Sequence, residues 1–225
     1  MYPVEKIQNW MQENNIDVLL INRTDEFLSE YIAPYAERLK WVSDFSGSAG
    51  RAIIEVKNAY IFIDGRYTHQ AKQQTNSKYF SVKHLSEYWI HLLKYKSKNK
   101  ILSLDARLHS ISEVKRLKDI YTNSDVTIKF LYQNPIDLFW DSQPKFPDSN
   151  SFIHDQKYAG ESAIDKIKKI QKILTNESID FYLLNSLDSI AWLTNLRGND
   201  IDYTPLIFCN IIIPKKGKIE LFVNL

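Results

Sequence analysis

The residues that could do chemistry are few and dispersed. Ser46 and Ser48 stand beside glycines in Ser46-Gly47-Ser48-Ala49-Gly50, which invites a nucleophile. The segment is not a Gly-X-Ser-X-Gly elbow, and a strand pattern rather than a helix follows it, so a tight turn is the favoured reading. The absence of Gly-Lys-Ser/Thr argues against a phosphate cradle. The histidines, His69, His84, His91, His109 and His154, include no His-Glu-X-X-His and no pair four residues apart. They read as surface or half-buried side chains rather than metal ligands. Cys209 is the sole cysteine and lies in an apolar run, as a buried structural thiol would. Asp64, Asp105, Asp180 and Asp188 fall at or near strand ends, where lone carboxylates cap turns or pair with a basic group. Two arginines remain. Arg66 sits at a Gly-Arg strand-to-helix corner and Arg197 in the Arg-Gly of a turn. A guanidinium held rigidly there offers a fork of donors to a carboxylate. Each is a candidate for substrate binding or a domain contact, with a structural salt bridge as the competing reading. No catalytic constellation is complete and no metal-ligand set is present.

The stretch that must position these groups is Arg38–Tyr67. Two apolar runs, Ala52–Val56 and Tyr60–Asp64, flank a short polar link and read as a strand hairpin. The glycines before it mark positive φ or a close backbone approach. Ahead of it, Val4, Ile7, Trp10 and Met11 share a helical face behind Pro3, and residues 16–21 form a buried strand. Residues 22–40 read as an irregular excursion. A polar helix over 66–74 follows the hairpin, then a strand over 80–84 and a helix over 88–93 with Trp89, Leu92 and Leu93 inward. A strand over 101–104, an amphipathic helix over 112–121 and a strand over 126–131 complete the pattern. Helix and strand in alternation indicate an α/β fold.

Composition narrows the classes. The 225 residues carry 29 basic and 27 acidic side chains, a net charge of +2, with 44% hydrophobic content. That balance excludes a general nucleic-acid or membrane-surface binder and supports a sizeable core. The cluster Lys94, Lys96, Lys98 and Lys100 reads as a solvated loop. No apolar run approaches the roughly 18 residues needed to span a bilayer. The N-terminus shows no signal-peptide pattern, so a reducing cytoplasm is the expected compartment.

Residues 133–151, with Pro135, Pro144 and Pro147, read as a stiff linker between a domain over 1–132 and a second over 152–225. After it the pattern restarts. An apolar stripe of Ala163, Ile164, Ile167, Ile170, Ile173 and Leu174 marks a helix over 161–176. Phe181–Leu184 is a strand, and Leu206–Ile213 and Ile219–Val223 form a hairpin. This is an internal repeat. Residues 16–22 match 179–185, Asp25 falls on Asp188, and Trp41–Gly47 matches Trp192–Gly198. Strand signals that follow the hairpin in the first copy have no counterpart in the second, so the second copy is expected to be incomplete.

Several segments resemble the N-terminal region of the larger, three-domain Xaa-Pro aminopeptidases (aminopeptidase P). They are EYIAPYAERLKWVSDFSGSAG at 30–50, DGRYTHQAKQQ at 64–74, NPIDLFW at 134–140, HDQKYAGES at 154–162 and SLDSIAWLTNLRGNDIDYTP at 186–205. The likeness covers nearly the whole chain in family order. One departure is Asp44, where the family usually has glycine before the aromatic.

The resemblance implies an α/β, creatinase N-terminal-like three-layer domain with a mixed sheet, followed by a related, truncated second copy. It implies a separate C-terminal catalytic domain as partner, holding two divalent metal ions, usually manganese, with none in this chain. The substrates implied are short peptides with proline at the second position, and a homodimer of the full-length enzyme is an expectation. Arg66 and Arg197 would then face the substrate cleft. The competing readings are a stand-alone binding module of the same fold and an unrelated α/β hydrolase using Ser46 or Ser48.

Overall fold

Proline at the first turn and an apolar face of Val4, Ile7 and Met11 make helix α1 (Pro3–Glu13), and all three side chains are fully buried. The computed structural model describes residues 1–223. α1 ends on Asn15 in the left-handed region (φ 54°), and the Ile16 N–H reaches back to the Met11 carbonyl at 2.8 Å. Strand β1 (Val18–Asn22) is buried at every position. Helix α2 (Arg38–Ser43) comes next, then the antiparallel hairpin of β2 (Gly50–Glu55) and β3 (Ala59–Ile63). The chain continues through α3 (Thr68–Gln74), β4 (Phe80–His84), α4 (Tyr88–Leu93), β5 (Lys100–Asp105), α5 (Ile111–Ile120), β6 (Val126–Leu131) and α6 (Pro135–Phe139).

These strands form one six-stranded mixed sheet in the order β4-β3-β2-β1-β5-β6. β2 is antiparallel to both neighbours and the other pairs are parallel. Alternation along the strands fills two cores. Leu19, Ile21, Ala52, Ile54, Ile61 and Ile63 meet α1, α2 and α6 on one face. Val18, Leu20, Ile53 and Phe62 meet Tyr88 and Leu92 of α4 and Leu117 of α5 on the other. The result is the three-layer arrangement expected from the sequence.

Residues Met1–Glu30 and Pro34–Pro144 form one unit, and Tyr31–Ala33 with the residues from Lys145 onward form a second. α6 therefore lies within the span that composition reads as linker. In the second unit β7 (Phe152–Ile153), α7 (Gln156–Ala159), α8 (Ala163–Asn176), β8 (Phe181–Leu184), α9 (Leu187–Thr194), β9 (Leu196–Arg197), β10 (Cys209–Pro214) and β11 (Glu220–Val223) follow in order. β11-β10-β8 make a three-stranded sheet and β7-β9 a short pair.

The internal repeat is legible in backbone detail. Ser178, the counterpart of Asn15, is also left-handed (φ 57°), and Ile179 N–H bonds the Leu174 carbonyl at 2.9 Å, as Ile16 does in the first copy. Asp44 and Asn195 both follow a helix and are both left-handed, at φ 63° and 57°.

Three expectations need correction. Arg38–Ser43 is a helix, not the end of an irregular excursion. In α4, Leu92 and half-buried Trp89 pack inward as expected, Tyr88 joins them, and Leu93 is half exposed. In α8, Ile164 and Ile173 are exposed. Nine residues at about 100° each put them on opposite flanks of the face that Ile167, Ile170 and Leu174 present to the core.

Candidate functional site

The carboxyl ends of β1, β3, β4, β5 and β6 share one edge of the first sheet because β2 alone runs the other way. That edge is where open α/β sheets place their ligand-binding loops. Arg66 is there, in a 3-10 turn leaving β3. Asp64 caps the turn, its Oδ1 accepting the Arg66 N–H at 3.0 Å and Nε at 2.8 Å. The Asp64 carboxyl is lowered below its ordinary value by the Arg66 backbone N–H and then by its side chain. The guanidinium lies over the Tyr67 ring, 5.5 Å from its centre. With 71% of its side chain exposed, Arg66 turns its terminal amino groups to solvent, and among the described residues they have no partner. Asp64 thus orients the fork without consuming it.

The serine-glycine turn supports this corner. Ser48 Oγ and Tyr67 Oη share a hydrogen bond of 2.6 Å, and Ser46 Oγ accepts from Gln70 and Gln74. Among the described residues neither hydroxyl bonds a histidine, and their partners are the tyrosine and glutamines of this corner. Gly47 is a close-approach glycine: a Cβ there would lie 2.3 Å from Cζ of buried Phe45.

Asp105 caps a turn and pairs with a basic group, as expected of a strand-end carboxylate, and makes a second corner of the same build with Arg107, which the sequence did not single out. Asp105, at the end of β5, accepts the Arg107 N–H at 3.1 Å, Nε at 3.0 Å and Nη2 at 2.7 Å. Asp105 is buried and Arg107 is half exposed. The signal was present as Asp-X-Arg closing an apolar strand, in Asp64-Gly65-Arg66 and again in Asp105-Ala106-Arg107. Trp41, beside the turn in sequence, is half-buried and stacks on Trp140 with ring centres 6.2 Å apart.

Arg197 belongs to the second unit and has a different setting. Its Nη1 donates to the Ala191 and Leu196 carbonyls, at 2.5 and 2.8 Å. Among the described residues no carboxylate pairs with it. It caps the C-terminal end of α9, where a cation is favoured by the helix dipole. Buried Lys166 caps the same end, donating to the Trp192 carbonyl and, at 2.6 Å, to Asn195 Oδ1. Burial lowers the Lys166 pKa, and Arg197 lowers it further against the pull of Glu161.

The remaining candidates are structural. Cys209 is buried, and burial pushes its thiol up to about 11. His109 is buried with Nδ1 2.8 Å from the Asp105 carbonyl. Asp180 pairs with Lys215 at 2.7 Å. Among the described residues no group of three or more His, Cys, Asp or Glu converges, so these residues do not fit a dinuclear metal centre.

Comparison with known proteins decides the family. Residues 3–130 match the model of the creatinase/prolidase N-terminal domain, and residues 142–225 match a second model of that description. The chain belongs to the creatinase/prolidase N-terminal family. Two such domains stand in tandem. The chain is 33% identical over 210 residues to the probable Xaa-Pro aminopeptidase P of Aspergillus flavus, which covers 91% of this chain and 32% of that protein. It is 34% identical over 213 residues to the probable Xaa-Pro aminopeptidase P of Ajellomyces dermatitidis, covering 92% and 34%. It therefore spans about a third of the length of these relatives. Its fold matches the X-prolyl aminopeptidase of Caenorhabditis elegans, described as a cytosolic enzyme with a di-nuclear active site. The TM-score is 0.87 at 24% identity, over 93% of this chain and 35% of that one. No helix among the described residues is long and apolar enough to cross a membrane.

Proposed function

We propose that these residues are the non-catalytic N-terminal part of a metal-dependent Xaa-Pro aminopeptidase, shaping its cleft and restricting its substrates to short peptides with proline in second position. The observation that carries this is the identity of about a third to probable Xaa-Pro aminopeptidases P across nine-tenths of this chain. The chemistry would belong to a C-terminal catalytic domain holding two divalent ions, with manganese the favoured metal. The full-length enzyme would act in the cytoplasm, and a homodimer is part of the same reading. Arg66 would contribute a pre-oriented guanidinium at the cleft wall. Arg197 is the second guanidinium proposed to meet substrate, with its Nη1 held by the Ala191 and Leu196 carbonyls.

A peptidase assay tests the division of labour. The purified 225-residue chain, supplied with manganese, should release no N-terminal residue from an Xaa-Pro peptide. Robust metal-dependent release would overturn the proposal.

A further inference from the structure

The carboxyl end of β6 leaves a gap that the second core of the first unit does not fill. Val126 and Ile128 pack beneath α5, and strand alternation puts Phe130 on the same face. α5 leaves Phe130 40% exposed, and Ile111, in the first turn of α5, is 90% exposed. Between them lies a cavity of about 500 Å³, the size of a small-molecule pocket.

Its walls combine three kinds of contact. Ile111, Val114 and Phe130 are apolar. Lys115 and Lys118, a turn apart on α5, add two ammonium groups, and no acidic side chain lines the cavity. Lys118 Nζ is 5.9 Å from the centre of the Phe130 ring. His109 is the third kind, and it is only 8% exposed. Its Nδ1 lies 2.8 Å from the Asp105 carbonyl, which can only accept, so Nδ1 carries the ring proton. Nε2 is left as an acceptor, and among the described residues nothing donates to it. Burial lowers the pKa of the ring, against the pull of the Asp105 carbonyl and Glu113, which favours the neutral form. A buried acceptor without a donor is destabilising, and a ligand in the cavity can supply that donor.

We infer that this cavity is a binding site for a small hydroxyaryl carboxylate. The phenol O–H donates to His109 Nε2, the aromatic ring packs against Ile111, Val114 and Phe130, and the carboxylate meets Lys115 and Lys118. Each part of the ligand answers one kind of wall: a donor for the bare acceptor, an apolar body for the apolar lining, and a negative charge for the two cations. The site uses neither Arg66 nor Arg197, so it stands apart from the peptidase reading.

The test titrates para-hydroxyphenylpropionate into the 225-residue protein labelled with nitrogen-15. Amide signals and the His109 ring nitrogens are followed. The expected result is saturable shifts at Ile111, Val114 and Phe130, with the His109 Nε2 signal moving as it gains a hydrogen bond. Phenylpropionate, which lacks the donor, and the amide of para-hydroxyphenylpropionate, which lacks the charge, should each bind about tenfold more weakly. Lys118→Glu, at an exposed position, should weaken the carboxylate ligand and leave the neutral amide unaffected. Absence of saturable shifts at the cavity residues would overturn the inference. So would a His109 Nε2 signal that stays fixed at saturation, or equal binding of all three compounds, because the cavity would then be a general apolar surface.

Discussion

Asp44 and Asn195 occupy the same backbone position in two copies of one motif, yet their side chains do different work. Both are left-handed residues that end a helix. Asp44 is exposed and accepts one hydrogen bond, from Tyr2 Oη at 2.5 Å. Asn195 is buried and holds Lys166 Nζ at 2.6 Å and the Glu161 carbonyl at 3.0 Å. Asp44→Gly relieves a left-handed strain of about 1 kcal/mol and loses an exposed hydrogen bond of similar size, so stability should change by less than about 0.5 kcal/mol. Asn195→Gly leaves a buried ammonium short of a partner and should cost about 2–3 kcal/mol. Urea midpoints of the two variants check the contrast.

Arg38 is a buried cation in the first unit. Its Nε and Nη2 meet the two oxygens of Asp137 at 2.8 and 3.0 Å, with Glu26 at 3.4 Å. Burial opposes its charge, but Asp137 and then Glu26 raise its pKa overall. Asp137→Ala strands that charge and should cost about 3–5 kcal/mol. The double variant Arg38→Met/Asp137→Leu should be markedly less destabilised than Asp137→Ala alone, as chemical denaturation would show.

His91 gives the first unit a pH dependence. Its ring packs against Tyr60 and Phe62, at 4.3 and 5.2 Å between centres. Burial, then the nearby Lys94 charge, lowers its pKa from 6.5 to about 4, against the opposite pull of Glu55. The unfolded chain therefore takes up a proton before the folded one does. Stability should fall as pH drops from about 6.5 through about 4, and His91→Phe should flatten that slope. Melting temperatures across this window provide the measurement.

Two glycines are required by space rather than by φ. A Cβ on Gly47 would meet Phe45 Cζ at 2.3 Å and Tyr67 Cδ1 at 2.9 Å, and one on Gly198 would meet Ile207 Cγ2 at 2.1 Å. Gly47→Ala and Gly198→Ala should each cost about 1–3 kcal/mol through overpacking. Gly160→Ala has open space, and its penalty should come from its φ of +76° alone, near 1 kcal/mol.

Much of this architecture was readable from residue order. Periodicity located α1, β1, the β2–β3 hairpin and β6, because apolar spacing there follows the local geometry. The match of residues 16–22 with 179–185 predicted a shared motif, which the paired left-handed residues Asn15 and Ser178 display. α2 escaped notice because six residues with Lys40 and Trp41 at their centre present too little periodicity. Which side of α8 faces the core depends on where the sheet lies, so Ile164 and Ile173 looked equivalent to Ile167 and Ile170. At the candidate site, Arg66 stood out through its glycine neighbour. Arg107 did not, since Ala106 marks no turn until the Asp105 cap is seen in three dimensions.

Arg66 is the residue proposed to meet substrate from the first unit. Its side chain is exposed and its ion pair with Asp64 is at the surface, so Arg66→Ala should leave folding intact. The direct measurement is steady-state kinetics of Arg66→Ala in the full-length enzyme on an Xaa-Pro peptide, alongside unmodified enzyme at matched metal content. Loss of one guanidinium–carboxylate contact should raise KM by about tenfold while kcat holds within about twofold. Unchanged kcat and unchanged KM would contradict the cleft-facing role.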